Sequence, residues 1–454
     1  MIEYSPFDRR TFLRRGAMGA GALWAASLGP YMARRAEGAA ITSPYGPIAA
    51  TADEVTGLEL LKLPAGFRYR SYSWTGDVMA DEVRCPNLHD GMAVVDAQGN
   101  SGRIILVRNH EGAAGTPYLD KRSITYRNDA AGGTTNIIFN LRQGTWEKDW
   151  STLAGTNRNC AGGVTPWGTW ITGEETGDAG HGWAFEVGAQ KGDPNPLKAM
   201  GRFSHEAMMV DPNSGYVYET EDATPSGFYR FIPNVAGQLD QGGRLYMLKA
   251  LNGPLKDDFG PLGVIGQTWN VQWVPINDPE ATTMSTVQQG LAQGGAQFRR
   301  LEGCWWGDTK GYFLSTNGGP VSEGQVFEYD PHNETIKLIY ASPTANDLDN
   351  PDNITVTPRG GLLLCEDAAG GANIVGERLV GLTLDGNTFT FAQNNIVLTA
   401  QQIALAGKTV TPNDYRTQEF AGACYSPDGV WLFVNIQTPG ITFAITGPWG
   451  PGPL

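Results

Sequence analysis

Long apolar runs are scarce in this sequence: beyond an N-terminal segment, no apolar stretch approaches the length of a bilayer span. The expectation is therefore a chain without stable membrane insertion. Charge is also scarce, at 18% of residues, and no long stretch keeps a helical period, which disfavours long amphipathic helices. Basic residues are outnumbered, with 33 Lys and Arg against 47 Asp and Glu, a net charge of -14 that repels nucleic acid and anionic lipid. No G-x-S-x-G segment offers a strained nucleophilic serine. Cysteine is limited to five residues, an odd number that leaves at least one thiol unpaired.

What the chain does have is 60 Gly, 28 Pro and 13 Trp in 454 residues, a composition suited to many short strands joined by turns. Residues 159–175 read NCAGGVTPWGTWITGEE: a polar start, a short strand, a Gly turn, a second strand, then carboxylates. The same pattern recurs at 204–222, 302–317, 351–367 and 422–437, and more loosely at 89–111. A hairpin brings the start of its first strand and the end of its second to one edge, so repetition gathers acidic groups in one place. The spacing is too irregular for a solenoid, and an all-β six-bladed propeller with long inter-blade insertions is expected, as a single domain over 41–454. Residues 234–297 show few strand signals and read as a lid or a surface excursion.

Asp8-Arg9-Arg10-Thr11-Phe12-Leu13-Arg14 precedes a weakly apolar Gly/Ala stretch over 16–28, and Gly38-Ala39-Ala40 offers small residues for cleavage. Residues 1–40 thus look like a twin-arginine signal, predicting engagement of the twin-arginine export machinery and a periplasmic or extracellular destination. Gly16, Gly19 and Gly21 mimic a dinucleotide fingerprint but follow no strand.

The acidic groups narrow the chemistry. Glu174/Glu175, Glu221/Asp222 and Glu366/Asp367 stand at equivalent ends of three hairpins, joined by Glu111, Glu206, Glu302, Asp352 and Asn353. One pair alone would be a solvated strand end, but so many like charges around one channel repel strongly without cations. Strand alternation lets only one member of each adjacent pair face the shared site, unless a bulge intervenes. Oxygen donors suit a hard ion such as calcium, while Cys160 fits either a thiolate ligand of a transition metal or a packed thiol. Cys304, Cys365 and Cys424, among apolar neighbours, read as core residues. Of His205 and Glu206 one is expected to face the metals, His110 is equally ambiguous, and His181 and His332 read as surface residues. Arg300 and Glu302, two apart on a strand, share a face; a guanidinium beside a metal ligand suits a phosphate held between them, or a salt bridge between strands.

The segments NCAGGVTPWGTWITGEE, GRFSHEAMMVDP, Arg300-x-Glu302, PDNITVTPRGGLLLCED and EFAGACYSPDGVWLFVNIQTPG resemble the PhoX family of exported alkaline phosphatases, in the family's order and over most of the chain. The resemblance implies a six-bladed propeller whose channel holds ferric iron (Fe3+) and calcium and hydrolyses small-molecule phosphate monoesters through a metal-bound oxide or hydroxide. It implies that Cys160 binds iron and that Arg300 and Glu302 are catalytic, contacting the phosphate and the metals. Glu174/Glu175, Glu206, Asp352/Asn353 and Glu366/Asp367 fall in its acidic motifs. Leu301 departs from the Pro expected between Arg300 and Glu302. A monomer is expected. Two other readings stand beside it: a calcium-dependent lactonase-type propeller, whose metal polarises an ester carbonyl, and a non-catalytic binding propeller.

Overall fold

A computed structural model describes residues 40–254, 257–368 and 376–454. The twin-arginine segment, residues 1–39 of the expected 1–40, lies outside the described residues. The architecture is all-β and propeller-like; among the described residues the sheets are antiparallel and two short α-helices, Thr286–Leu291 and Ala400–Leu405, accompany them.

Each repeated hairpin starts a sheet with an innermost strand: His89–Ala97, Asn159–Val164, His205–Val210, Leu301–Trp306, Pro351–Val356 and Phe420–Tyr425. These strands are almost wholly buried, because each packs between two others in sequence and the last packs against the first. Their near-continuous apolar or small residues follow from burial on both faces. Between the sheets lie aromatic layers such as Phe228 over Phe313, stacked at 4.3 Å, and Phe313 over Phe327 at 5.2 Å.

The outer strands vary. The sheet beginning at Phe420–Tyr425 is completed by Arg68–Tyr72 from the other end of the chain, paired with Ile441–Thr446. The sheets of His205–Val210 and Leu301–Trp306 join at their outer edges, where Thr268–Pro275 pairs with Thr335–Ala341. Residues 234–297, expected to hold few strands, contain Gly243–Leu251 and Thr268–Pro275. Their pattern was masked because the second alternates exposed and buried residues at the rim and Gly- and Gln-bearing turns separate them.

One main-chain hydrogen bond repeats around the ring. The residue just before each inner strand accepts, at its carbonyl, the N–H of the residue just after that hairpin's second strand: Leu88 from Glu111, Arg158 from Glu175, Ser204 from Asp222, Arg300 from Thr316, Asn350 from Asp367 and Glu419 from Gln437, at 2.8–3.2 Å. Leu88, Arg158, Arg300 and Asn350 make this turn with positive φ of 43–53°. Directly after it every inner strand carries a β-bulge, which shifts the pairing register and re-aims the side chain at the strand's second position. The third position is small in most copies because neighbouring inner strands nearly touch; a Cβ on Gly303 would stand 2.7 Å from the Asp352 carbonyl oxygen.

Candidate metal centre

The second position of successive inner strands holds Asp90, Cys160, Glu206, Glu302, Asp352 and Ala421, within the bulge in all but the last, where the register shifts just after Ala421. All are buried. Above them, after the second strands, stand Glu111, Glu175, Asp222, Thr316, Asp367 and Gln437, mostly half-buried. The hairpins therefore build two tiers of side chains at one end of the ring.

In the deeper tier Cys160 Sγ lies 3.4 Å from Glu206 Oε1. Its sulfur belongs to two groups whose ligand atoms all lie within 4.8 Å of one another: Asp90, Glu111 and Cys160, and Cys160, Glu206 and Asp352. Gln437 Nε2 donates to Glu111 Oε2 at 2.8 Å and to Asp90 Oδ2 at 3.2 Å, tying the tiers together. Asp90 Oδ1 and Glu206 Oε2 are buried with no hydrogen-bond partner. Orphaned carboxylate oxygens are costly in a protein interior, so the donor set fits cations held between these side chains. One soft sulfur among hard oxygens suits a transition metal beside an alkaline-earth ion.

Electrostatics points the same way. Burial, then the charges of Glu111 and Asp352, push Asp90 well above the usual carboxylate range. Burial with Asp352, Glu175 and Asp90 does the same to Glu206, and burial with Asp352, Glu206 and Asp222 to Glu302. Asp352 is pushed up to about 7 by burial and Asp367, and Glu111 to about 7 by burial, against the opposing pull of Arg158. Glu175 rises to about 10, from burial and its contact with Asp222, and burial raises the Cys160 thiol strongly, with Asp90 and Glu206 adding to it. Such mutual repulsion is what bound cations would relieve.

Arg300 stands at the rim. Its Nε donates to Asp222 Oδ1 at 2.9 Å and its Nη2 to Asp222 Oδ2 at 3.2 Å, and the guanidinium also pairs with Glu302. Burial opposes its charge, but Glu302 and Asp222 outweigh that and raise its pKa. Thr316, the one hydroxyl among the upper-tier groups, follows the second strand of the Arg300 hairpin.

The adjacent pairs separate by role. Glu174 accepts from the Asn157 N–H at 2.8 Å, His181 Nδ1 at 2.6 Å and the Trp183 N–H at 3.1 Å. Glu221 accepts from the Tyr229 hydroxyl at 2.5 Å and the Gly227 N–H at 3.2 Å. Glu366 is held by Arg378 at 2.5 and 2.6 Å and by the Asp349 N–H. The following residues, Glu175, Asp222 and Asp367, act electrostatically on the central carboxylates. Asn353 is buried beside Asp352, its backbone against Gly303.

The histidines are structural. His205 Nε2 lies 3.1 Å from the Gly201 carbonyl and its Nδ1 3.3 Å from Glu219, while Glu206 faces Cys160. His110 is bound by the Asn87 carbonyl and Thr135 hydroxyl, both at 2.9 Å. His181, expected at the surface, is buried against Glu174; His332 is exposed. Cys304, Cys365 and Cys424 are buried, and among the described residues no disulfide forms.

Sequence reasoning passed over two carboxylates. Asp90 holds in the loosest repeat the place of Cys160 and Glu206, a signal readable by aligning strand starts. Glu419, just before Phe420–Tyr425, is raised well above its usual range by burial and by Asp367, Asp352 and Asp90. It stands in the one hairpin whose second position, Ala421, offers no donor.

Comparisons with known proteins give the family and the fold. The family model described as Alkaline phosphatase PhoX matches residues 43–149 and 140–440. Among solved structures, Pseudomonas fluorescens PhoX in complex with vanadate, a transition state analogue, is similar at a TM-score of 0.63 and 17% identity, over 88% of this chain and 97% of that one. A Xanthomonas campestris gluconolactonase gives a TM-score of 0.34 at 13% identity, over 79% and 95%. An oligogalacturonate lyase in complex with manganese gives 0.37 at 10%, over 89% and 97%. The comparison with curated proteins returned no match.

Proposed function

Because the chain belongs to the alkaline phosphatase PhoX family and is thereby a phosphoric monoester hydrolase, we propose that it cleaves small-molecule phosphate esters at the two-tiered acidic mouth, using iron and calcium. The observation that carries the assignment of the site is the Cys160 sulfur shared by two ligand groups, one of them wholly buried, with the Arg300–Glu302 pair beside them. Bound there, the cations supply Lewis acidity toward the phosphoryl oxygens and lower the pKa of the attacking water.

The protein's side chains do the rest. Asp90, Glu111, Cys160, Glu206 and Asp352 hold the cations; Asn353, Glu175, Asp222, Asp367 and Glu419 complete the oxygen set. Glu174 and Glu366, gripped by His181 and Arg378, fix the backbone that presents Glu175 and Asp367. Gln437 orients the Glu111 and Asp90 carboxylates. Arg300, aligned by its two bonds to Asp222, offers its remaining N–H groups to a non-bridging phosphoryl oxygen and stabilises charge that develops there.

The ring is read as six blades in one domain over 41–454, the nine-stranded sheet being two blades joined at their rims. Supporting this are the six repeated hairpins and the sequential contacts of their inner strands. The protein acts as a monomer, exported by the twin-arginine route to the periplasm or beyond; among the described residues no helix is long and apolar enough to cross a membrane. p-Nitrophenyl phosphate hydrolysis, measured with elemental analysis before and after chelation, tests the function. Turnover should vanish with the metals and return on their addition; turnover indifferent to both would refute it.

A further inference from the structure

Arg158 occupies the same station in its hairpin as Arg300 does in another. The Arg300 N–H donates to the carbonyl of Ala223, the residue after Asp222, and its carbonyl accepts from Thr316. The Arg158 N–H donates to the carbonyl of Gly112, the residue after Glu111, and its carbonyl accepts from Glu175. Both are left-handed, with φ of 53° at Arg158 and 46° at Arg300. Each thus starts at the rim, between the upper-tier residues of two neighbouring hairpins.

Their side chains differ. Arg300 is committed to Asp222 and Glu302, whereas Arg158 is exposed and no hydrogen bond or ion pair joins its guanidinium to a described residue. The backbone does not dictate arginine there, since Leu88, Ser204, Asn350 and Glu419 fill the same station elsewhere. Its backbone sits between those of Gly112, which follows Glu111, and Glu175, so the side chain starts beside two of the rim carboxylates. A long side chain held at an acidic rim with a free planar fork is suited to an anion arriving from outside.

We propose that Arg158 binds a second anionic group, carboxylate or phosphate, on the alcohol portion of the substrate. This rests on the phosphomonoesterase reading and adds a substrate class: esters whose leaving group is itself charged. The probes are glycerol 3-phosphate, with an uncharged alcohol, 3-phosphoglycerate and fructose 1,6-bisphosphate, compared in wild type, Arg158→Gln and Arg158→Lys at equal metal content.

The Gln variant should lose the preference for the doubly anionic esters, its kcat/KM ratio against glycerol 3-phosphate falling about tenfold to a hundredfold, mainly through KM. Lys should restore part of it. The ester that suffers more identifies carboxylate or phosphate. A ratio unchanged by the substitution, or equal losses on all three esters as expected if Arg158 only screens Glu111, overturns the proposal. Should wild type turn over none of them, the phosphatase reading fails on its own. Equilibrium binding of the same esters to metal-loaded protein then decides: selective weakening in the Gln variant supports the role of Arg158, and equal affinities reject it.

Discussion

Cys160 Sγ and Glu206 Oε1 stand 3.4 Å apart, both buried, on neighbouring inner strands at the same bulged position. The thiol donates only a weak hydrogen bond to that oxygen and leaves Glu206 Oε2 without a partner, so both side chains gain more from a shared cation. Cys160→Ser should reduce iron content severely and lower phosphatase kcat by about a hundredfold or more, as loss of a shared anchor implies. Elemental analysis alongside activity checks both; full iron occupancy in the variant would remove sulfur from the ligand set.

Glu174 and Glu175 are neighbours in sequence with opposite duties, and their variants should part accordingly. Glu174→Gln places an amide where His181 and two backbone N–H groups donate, and should cost about 1–3 kcal/mol of stability in denaturant titration. Glu175→Gln replaces a carboxyl that keeps its proton in the metal-free protein at neutral pH, so it should weaken metal binding, where a carboxylate is needed, while leaving the apo fold about as stable. The reverse result would exchange the two roles.

The hairpins were legible because turn glycines and short strands repeat whatever surrounds them. Which carboxylate of each pair faces inward was not. Alternation assigns faces only within a strand, and each second strand stops at the first member of its pair, so the residue that follows lies outside the regular backbone. Asp90 was hidden by the longer turn of its repeat, and Glu419 because it lies outside the strand it serves. His181 looked exposed because its loop is Gly-rich; its burial comes from Glu174, a contact made across the chain reversal that follows that strand.

Metal-free protein should lose stability as pH rises. Glu111 and Asp352 are pushed up to about 7 in the folded state, while an unfolded chain releases these protons near the ordinary carboxylate values. Between those limits the folded state binds more protons, so unfolding free energy falls with increasing pH, and Glu175, pushed up to about 10, carries the decline beyond pH 7. Thermal melts of chelated protein from pH 5 to pH 8 should show the decline, and added metal should flatten it by taking the protons' place. A chelated melt that improves over this range would contradict the clustering.

Arg300→Lys keeps the charge but forfeits the fork. The two bonds to Asp222 cannot both be kept while a third group is offered to phosphate. A drop of about tenfold to a hundredfold in kcat/KM for p-nitrophenyl phosphate is expected, with metal content preserved.

Arg378 is buried with its carboxylate partner Glu366 and also donates to the carbonyls of Ala345 and Asn346. Arg378→Ala strands that carboxylate in the interior and should destabilise by about 3–5 kcal/mol in urea titration. Restoration by Glu366→Gln in the double variant would show that the uncompensated charge is the cause.

The hydrogen bond that seats the entrance to each inner strand uses only main-chain atoms, so leucine, arginine, serine, asparagine and glutamate can all sit in that chair. The chassis is thereby indifferent to what it carries. Swapping the passenger at one seat alters what meets an incoming molecule without disturbing the other five, which makes the rim a place where selectivity can drift while the catalytic floor stays put.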